Sequence, residues 1–442
     1  MMSLRSLAIV AVMLGLGGCA LPAHLWAPRP GPPLPVPADQ PPVVFIHGAF
    51  GSRLVEAGSG REIWPGGFAK LLFGRYAELA IDVDAATLAP APDRLVANGL
   101  FERTGARDYY YAILRSFRRA GYREGRPGEP VVDRVPRYYT LVYDWRHDNL
   151  RAVRALDALI AQIRRDHGRP DLRVDLVAHS NGGLVARWYA RYGTADPDAG
   201  PLRPSQEGAG RLRRVVLVGT PNLGTLESLQ ALTRGEEIGL RRVPPEVLAT
   251  FPSIYALLPP PGSDWLVDDA GRAVRRDAHD PALWRELRIG VFDPGIARRV
   301  VAAHGGAAQG AAYLARLQRY VGIQLERAGR IARSLADPAV DDGIEPIVFG
   351  GECVATAARA VLDEGGGHLS LGLEVREASG NSDRAGTAAT VFAPGDGTVT
   401  RESALGSAIL EPRYSMFLCT QHNQLTADPH FLDNLLSALL LP

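Results

Sequence analysis

From Val43 onward, short apolar runs alternate with longer stretches whose apolar residues recur every three or four positions. Val43-Val44-Phe45-Ile46 is the first run, too short for a helix and rich in β-branched residues, so it predicts a buried strand. Runs at Tyr138–Tyr143, Arg173–Ala178, Val215–Val218, Glu345–Phe349 and Ser415–Cys419 predict further strands. Between them, Tyr110, Ile113, Leu114 and Phe117 share one helical face, with Asp108 as candidate cap and Gly121 as stop. A second helix begins near Asn149, buries Leu150, Val153, Leu156, Leu159, Ile160 and Ile163, and stops at Gly168. Gly182–Tyr192 sets Leu184, Val185, Trp188 and Tyr192 on one face of a third. This alternation predicts the α/β class, a mostly parallel sheet with helices on both faces.

Two stretches break the rhythm. Thr220 to Asp341 holds helices and loops without an obvious strand, far longer than an ordinary strand-to-helix connection. We read about 221–341 as a largely helical cap inserted into a single domain spanning 43–442. A second insertion runs from Gly51 to Gly105; its Trp64, Phe68, Leu71, Leu72 and Phe73 read either as core or as a membrane-touching helix. No internal repeat appears at a solenoid or propeller period.

The segment before Val43 has another character. Arg5 precedes an apolar run from Leu7 to Leu16, long enough for a signal h-region and too short for an ordinary transmembrane helix. It ends in Leu16-Gly17-Gly18-Cys19, which resembles a bacterial lipobox and implies a signal peptide over 1–18, cleavage before Cys19 and acylation of that residue. Ala20 after the Cys resembles outer-membrane sorting. Residues 20–42 carry prolines at 22, 28, 30, 32, 33, 35, 37, 41 and 42, so 19–42 reads as a lipidated Cys on a semi-rigid tether. The expected location is a bacterial envelope, lipid-anchored, facing the periplasm.

Composition adds exclusions. The formal net charge of +1 gives no global field to draw nucleic acid, and Lys70 is the only lysine among the basic residues. Besides Cys19 there are Cys353 and Cys419, which read equally as a disulfide in an oxidising compartment or as two unpaired thiols. No Cys/His cluster has metal-ligand spacing, and no metal or other cofactor is expected.

One pattern carries chemistry. Ala178-His179-Ser180-Asn181-Gly182 differs from G-x-S-x-G only in its first small residue, and it lies between a strand and an amphipathic helix. A sharp strand-to-helix turn needs small neighbours two residues either side of the serine, which makes Ser180 the candidate nucleophile. Such a serine needs a base and an acid to orient that base. His422 follows the last strand and is the candidate base, with His430 as weaker rival; Asp396, in Gly395-Asp396-Gly397, is the candidate acid. Asp341 and Asp342 stand at the wrong end of a strand. The backbone N–H groups of Asn181 and Ala49 are candidate oxyanion donors, Ala49 lying in His47-Gly48-Ala49-Phe50-Gly51 after the first strand. His47 reads as a structural hydrogen-bonding residue, and Asp144 with Arg146 as a pair bracing the site.

Together these motifs resemble the lecithin:cholesterol acyltransferase-like and lysosomal phospholipase A-like branch of the α/β-hydrolases. The resemblance rests on His47 to Leu54, Tyr143-Asp144-Trp145-Arg146, the Ser180 turn, Phe251-Pro252-Ser253-Ile254-Tyr255, Leu257-Leu258-Pro259, Gly395 to Val399 and Gln421-His422. It differs in opening the oxyanion loop with His47-Gly48 where the family has Pro-Gly, and in having no cysteine between Cys19 and Cys353 for the family's cap disulfide. The resemblance implies an α/β-hydrolase fold, the triad Ser180, Asp396 and His422, oxyanion donors Ala49 and Asn181, and hydrolysis or transfer of lipid-like acyl esters. The competing reading is a non-catalytic envelope lipoprotein that binds lipid or protein on the same fold.

Overall fold

The computed structural model describes residues 36–440, apart from 68–69, 71–73, 75, 105–106, 239–240, 269, 338–343, 364–367, 371–390 and 408. The segment through Pro35, with Cys19, lies outside the described residues, as do Phe68, Leu71, Leu72, Phe73, Asp341 and Asp342.

A sheet of seven strands forms the centre. In chain order they are β1 (Val43–Ile46), β2 (Arg123–Glu124), β3 (Arg137–Leu141), β4 (Val174–His179), β5 (Leu212–Val218), β6 (Ile347–Gly351) and β7 (Tyr414–Leu418). Their spatial order is β7-β6-β5-β4-β1-β3-β2, and each adjacent pair runs parallel. The strands of the sequence reading are all present, with bounds that differ by up to three residues. The short edge strand β2 is exposed and carries no apolar pattern to betray it.

Alternation within the strands sorts the side chains into two cores. Val44, Ile46, Leu176, Ala178 and Leu217 point to one face; Val43, Phe45, Val177, Val216 and Val218 point to the other. The second face is covered by α1 (Tyr111–Ala120), through Ile113, Leu114 and Phe117, and the first by α2 (Asn149–Asp166) and α3 (Asn181–Tyr192). Each such side chain, fully buried, contributes about 1.5–3 kcal/mol. The cap of α2 is Asp148, which accepts from Leu150 N–H at 2.8 Å. Asp108 sits farther from its helix than the sequence suggests: Tyr110 holds the cap position, and the Asp108 carboxylate accepts from Ala112 N–H at 3.1 Å. Gly121, at φ 103°, ends α1 as read.

The stretch after β5 contains α4 (Leu226–Arg234), shorter helices, and the 31-residue α5 (Gly306–Ala336). It is largely helical, but it also holds three short strands that the sequence pattern missed. Glu236–Ile238 and Arg241–Val243 form a hairpin, and Leu266–Asp268 pairs with Ala360–Asp363 beyond β6. Three-residue strands are too short for alternation to register. After β1, Glu62–Trp64, Ser52–Glu56 and Leu95–Leu100 form a separate antiparallel sheet. Trp64 is buried there against Phe50, Tyr76 and Trp145, so it belongs to the core and not to a membrane-facing surface. No described helix is long and apolar enough to cross a membrane. The final helix, α6 (Pro429–Leu440), packs Phe431, Leu435 and Leu439 beside α1.

Candidate active site

The carboxyl ends of the central strands meet in register: Ile46 opposes Ala178, and Val218 opposes both His179 and Phe349. Immediately beyond β4, Ser180 adopts φ 54° and ψ −127°, a conformation that L-residues rarely hold, and α3 begins at the next residue. The turn is possible because its neighbours lack bulk. A Cβ on Gly182 would lie 2.5 Å from the His47 carbonyl oxygen, one on Gly183 would lie 1.9 Å from Thr220 Oγ1, and one on Gly48 would lie 2.7 Å from Ser180 Cβ. Ser180 N–H donates to Val218 O at 2.8 Å, tying the turn to β5.

Two loops deliver the partners. Asp396 follows the strand Phe392–Gly395 and is almost fully buried. One of its carboxylate oxygens accepts from Thr398 and Val399 N–H at 2.9 and 2.7 Å, and the other faces His422 Nδ1 at 2.8 Å. His422 opens a helical turn after β7, and its backbone N–H donates to Asp396 O at 2.9 Å. Its Nε2 then stands 2.9 Å from Ser180 Oγ. Burial disfavours the imidazolium of His422, but the Asp396 charge and hydrogen bond outweigh it, holding the pKa above the ordinary value. The Asp396 carboxyl is held below its ordinary value against the same burial by His422 and the two backbone donors. His430 is exposed on α6 and takes no part.

This geometry sits on a recognisable frame. Over 90% of the chain, and 98% of the matched chain, the structure is similar to the solved Tle4–Tli4 complex, with a TM-score of 0.59 at 15% identity. The chain has the α/β-hydrolase fold. It is also similar, at lower superposition, to the Bacillus licheniformis lipase BlEst2 in its mature form (TM-score 0.36, 12% identity, covering 93% of this chain and 96% of that one). EstA from Clostridium botulinum stands likewise (TM-score 0.35, 13% identity, 93% and 92% covered). No protein-family model matches the sequence, and no curated protein matches it.

On this α/β-hydrolase frame, a buried network beneath Ser180 and His422 fixes the loop after β1. Tyr110 Oη accepts from Gly48 N–H at 3.0 Å, so its proton goes to His179 Nδ1, also at 3.0 Å. The other nitrogen of His179 then donates to the His422 carbonyl at 3.3 Å. His47 stacks on Tyr143, with its Nδ1 at 2.8 Å from Gly48 O and its Nε2 accepting from Tyr143 N–H at 3.3 Å. That is the structural role read for His47. Burial pushes His47 down to about 4 and, with His422 beside it, His179 down to about 3. Ala49 lines the cavity with Ser180, and Asn181 is the first residue of α3, where backbone N–H groups have no intrahelical acceptor. The Asn181 side chain is locked by reciprocal 2.8 Å bonds with Asn149.

Ser180 and His422 open into a cavity of about 480 Å³. Phe50, Trp64, Phe101 and Trp145 line it from the first insertion and sheet side, and Phe251, Ile254 and Leu257 from the stretch after β5. Asp144 and Arg146 do pair: the fully buried Arg146 donates to Asp144 and to Asp93 at 2.6 Å each. Asp93, Asp144 and His147 are the one group of ligand-type side chains close enough for a cation among the described residues, and the Arg146 guanidinium already lies between their carboxylates. Cys353 and Cys419 form a disulfide joining the ends of β6 and β7. Sequence reasoning left that pairing open and missed the roles of Tyr110 and His179. Tyr110 looked like an ordinary core position on a helical face, and no sequence signal distinguishes a tyrosine whose hydroxyl ends a network.

Proposed function

We propose that this chain is a serine carboxylic-ester hydrolase acting on lipid-like acyl esters. The observation that carries the reading is the unbroken Asp396–His422–Ser180 relay, at 2.8 and 2.9 Å, opening into a mainly aromatic and aliphatic cavity. His422 Nε2 takes the Ser180 proton as Oγ attacks the ester carbonyl, and Asp396 holds the imidazole with Nδ1–H toward itself. Backbone N–H groups of Ala49 and Asn181 receive the oxyanion, aided by the positive end of α3. The imidazolium then protonates the leaving alcohol, and water or an acceptor alcohol, activated by the neutral His422, releases the acyl group. The insertion at 221–341 serves as a cap whose residues wall the cavity.

The motifs quoted above support assignment to the lecithin:cholesterol acyltransferase-like branch and lipid anchoring through Cys19 on the periplasmic side of an outer membrane. The Cys353–Cys419 disulfide favours the same oxidising compartment. Intact mass of detergent-extracted protein checks the anchor.

A fluorophosphonate probe should label the protein at Ser180. Replacing Ser180 by Ala should abolish labelling and lower ester turnover by about 10³-fold or more while leaving the fold intact. Normal turnover in that variant refutes the assignment.

A further inference from the structure

The side chain of Asn181 is fully buried at the start of α3 and is held on two sides. Its amide exchanges two 2.8 Å hydrogen bonds with Asn149, the first residue of α2. Its Nδ2 also donates to Tyr143 Oη at 3.3 Å, and that hydroxyl donates to His47 O at 2.8 Å, at the root of the loop that carries Ala49. One amide thus ties together the two backbones that supply the proposed oxyanion donors. Truncating Asn149 would leave Asn181 Oδ1 without its donor and Nδ2 with Tyr143 alone, in a buried place where such groups are costly.

Asn149 is steadied in turn from the cap. One oxygen of the preceding Asp148 caps α2, and the other accepts from Arg327 Nε at 2.6 Å. Arg327 lies on α5, the 31-residue helix of the insertion, and donates also to Asp196 at 2.9 Å and to Asp198. Asp196 pairs with Arg154 of α2, and Asp198 with Arg330 of α5. A half-buried network of this kind holds its members more firmly than an isolated surface pair. Farther along α5, Arg187 of α3 donates to Leu335 O at 2.7 Å, and Tyr192 Oη donates to Ser334 O at 2.9 Å. The long cap helix is therefore fastened to both α2 and α3, the two helices whose first residues, Asn149 and Asn181, grip each other.

We propose that Asn149 is a positioning residue for the oxyanion hole, and that Arg327, through Asp148, transmits the seating of the cap helix to it. This rests on the ester-hydrolase reading above and on the oxyanion role given there to Asn181 N–H. Neither Asn149 nor Arg327 lines the cavity, so neither touches substrate. A donor aimed at developing charge acts on the transition state more than on the bound ester, so loosening it lowers kcat and spares KM.

The test measures hydrolysis of p-nitrophenyl butyrate and inhibition by a trifluoromethyl ketone of the same acyl chain. Ser180 Oγ adds to the ketone carbon, the carbonyl π pair moves onto oxygen, and the serine proton passes to His422. The adduct carries an oxyanion and has no leaving group, so its inhibition constant reads the oxyanion hole. Asn149→Ala should lower kcat about tenfold, short of the hundredfold or more that follows loss of a whole donor, and raise the inhibition constant by the same factor. KM should change by less than about twofold. Asn149→Asp keeps an acceptor for Asn181 Nδ2 and should recover most of the loss. Arg327→Met keeps the apolar stem without the charge and should lower kcat about threefold. Combined with Asn149→Ala it should lower kcat no further, while the two shifts in thermal unfolding midpoint add. Lowered midpoints with kcat and the inhibition constant unchanged, or a rise in KM alone, overturn the positioning role. Losses of kcat that multiply in the double variant overturn the route through Arg327. Failure of the unaltered protein to hydrolyse the ester, with Ser180 unlabelled by the fluorophosphonate, overturns the hydrolase reading instead.

Discussion

Replacing both Cys353 and Cys419 by Ser removes a cross-link and little else, because both residues are exposed and their loss leaves no cavity. The half-cystines are separated by 66 positions. On the chain-entropy account, closing a loop of that length restricts the unfolded chain by about 4 kcal/mol at room temperature. The native cost falls near the site. Cys353 lies two residues beyond β6, next to Val354, which bridges to Asp396; Cys419 lies three residues before His422. The cross-link thus holds together the roots of the loops that bear the acid and the base. Urea unfolding of the double variant should show a midpoint lowered in proportion to about 4 kcal/mol, and reductant should lower the unaltered protein to the same place. At a temperature where both are folded, ester turnover by the variant should fall by up to about a hundredfold, the scale of an ångström's misplacement of reacting groups. An unshifted midpoint with full turnover would refute the claim that this bond anchors the two loops.

Other variants address the triad and its support. In the unaltered protein the acid limb of kcat/KM should lie above pH 6.5, because His422 must be neutral to act and Asp396 raises its pKa. Asp396→Asn removes that charge and leaves burial to dominate, so the limb should move to lower pH while the plateau falls by about 10⁴-fold; an unmoved limb assigns the titration to another group. Tyr110→Phe leaves Gly48 N–H and His179 Nδ1 without their partner, two buried groups at about 1–3 kcal/mol each. Calorimetry should register that loss, and kcat should drop with the loosened oxyanion loop while KM changes little. Gly183→Val drives a side chain into Thr220 and should give little folded protein, measured as soluble yield.

The central sheet was legible because its strands are buried on both faces and read as continuous apolar runs. Val43–Ile46, fully buried along its length, could be little else. The Ser180 turn was legible for a steric reason: the left-handed Ser180 and the approach of Gly182 and Gly183 to β1 and Thr220 demand small residues at fixed offsets. What stayed hidden depends on contacts across long separations. Nothing local marks Tyr110 as the link between Gly48 and His179, or decides Trp64 as core within a stretch whose apolar pattern also suits a bilayer surface. The strand Leu266–Asp268 exists because Ala360–Asp363 lies beside it, a partner almost a hundred residues away in sequence.

Three histidines surround Ser180, and the surroundings of each decide which can carry a proton. His179 precedes Ser180 and its ring centre lies 4.9 Å from that of His422, yet both its nitrogens are engaged, by Tyr110 and by the His422 carbonyl. No carboxylate contacts it, and burial keeps it neutral. His47 is likewise enclosed, its two nitrogens committed to Gly48 and to the Tyr143 backbone. His422 is buried as well, but it alone hydrogen-bonds to a carboxylate, and only its Nε2 reaches Ser180 Oγ. Burial without a counter-charge lowers a histidine's pKa, and burial against Asp396 raises it. The neutral His179 also spares the site a second positive charge when His422 takes the serine proton, since a cationic neighbour at that distance would oppose the transfer. In the proposed mechanism the base is therefore selected by the placement of one carboxylate, and the two other rings, held neutral, shape the loops around it.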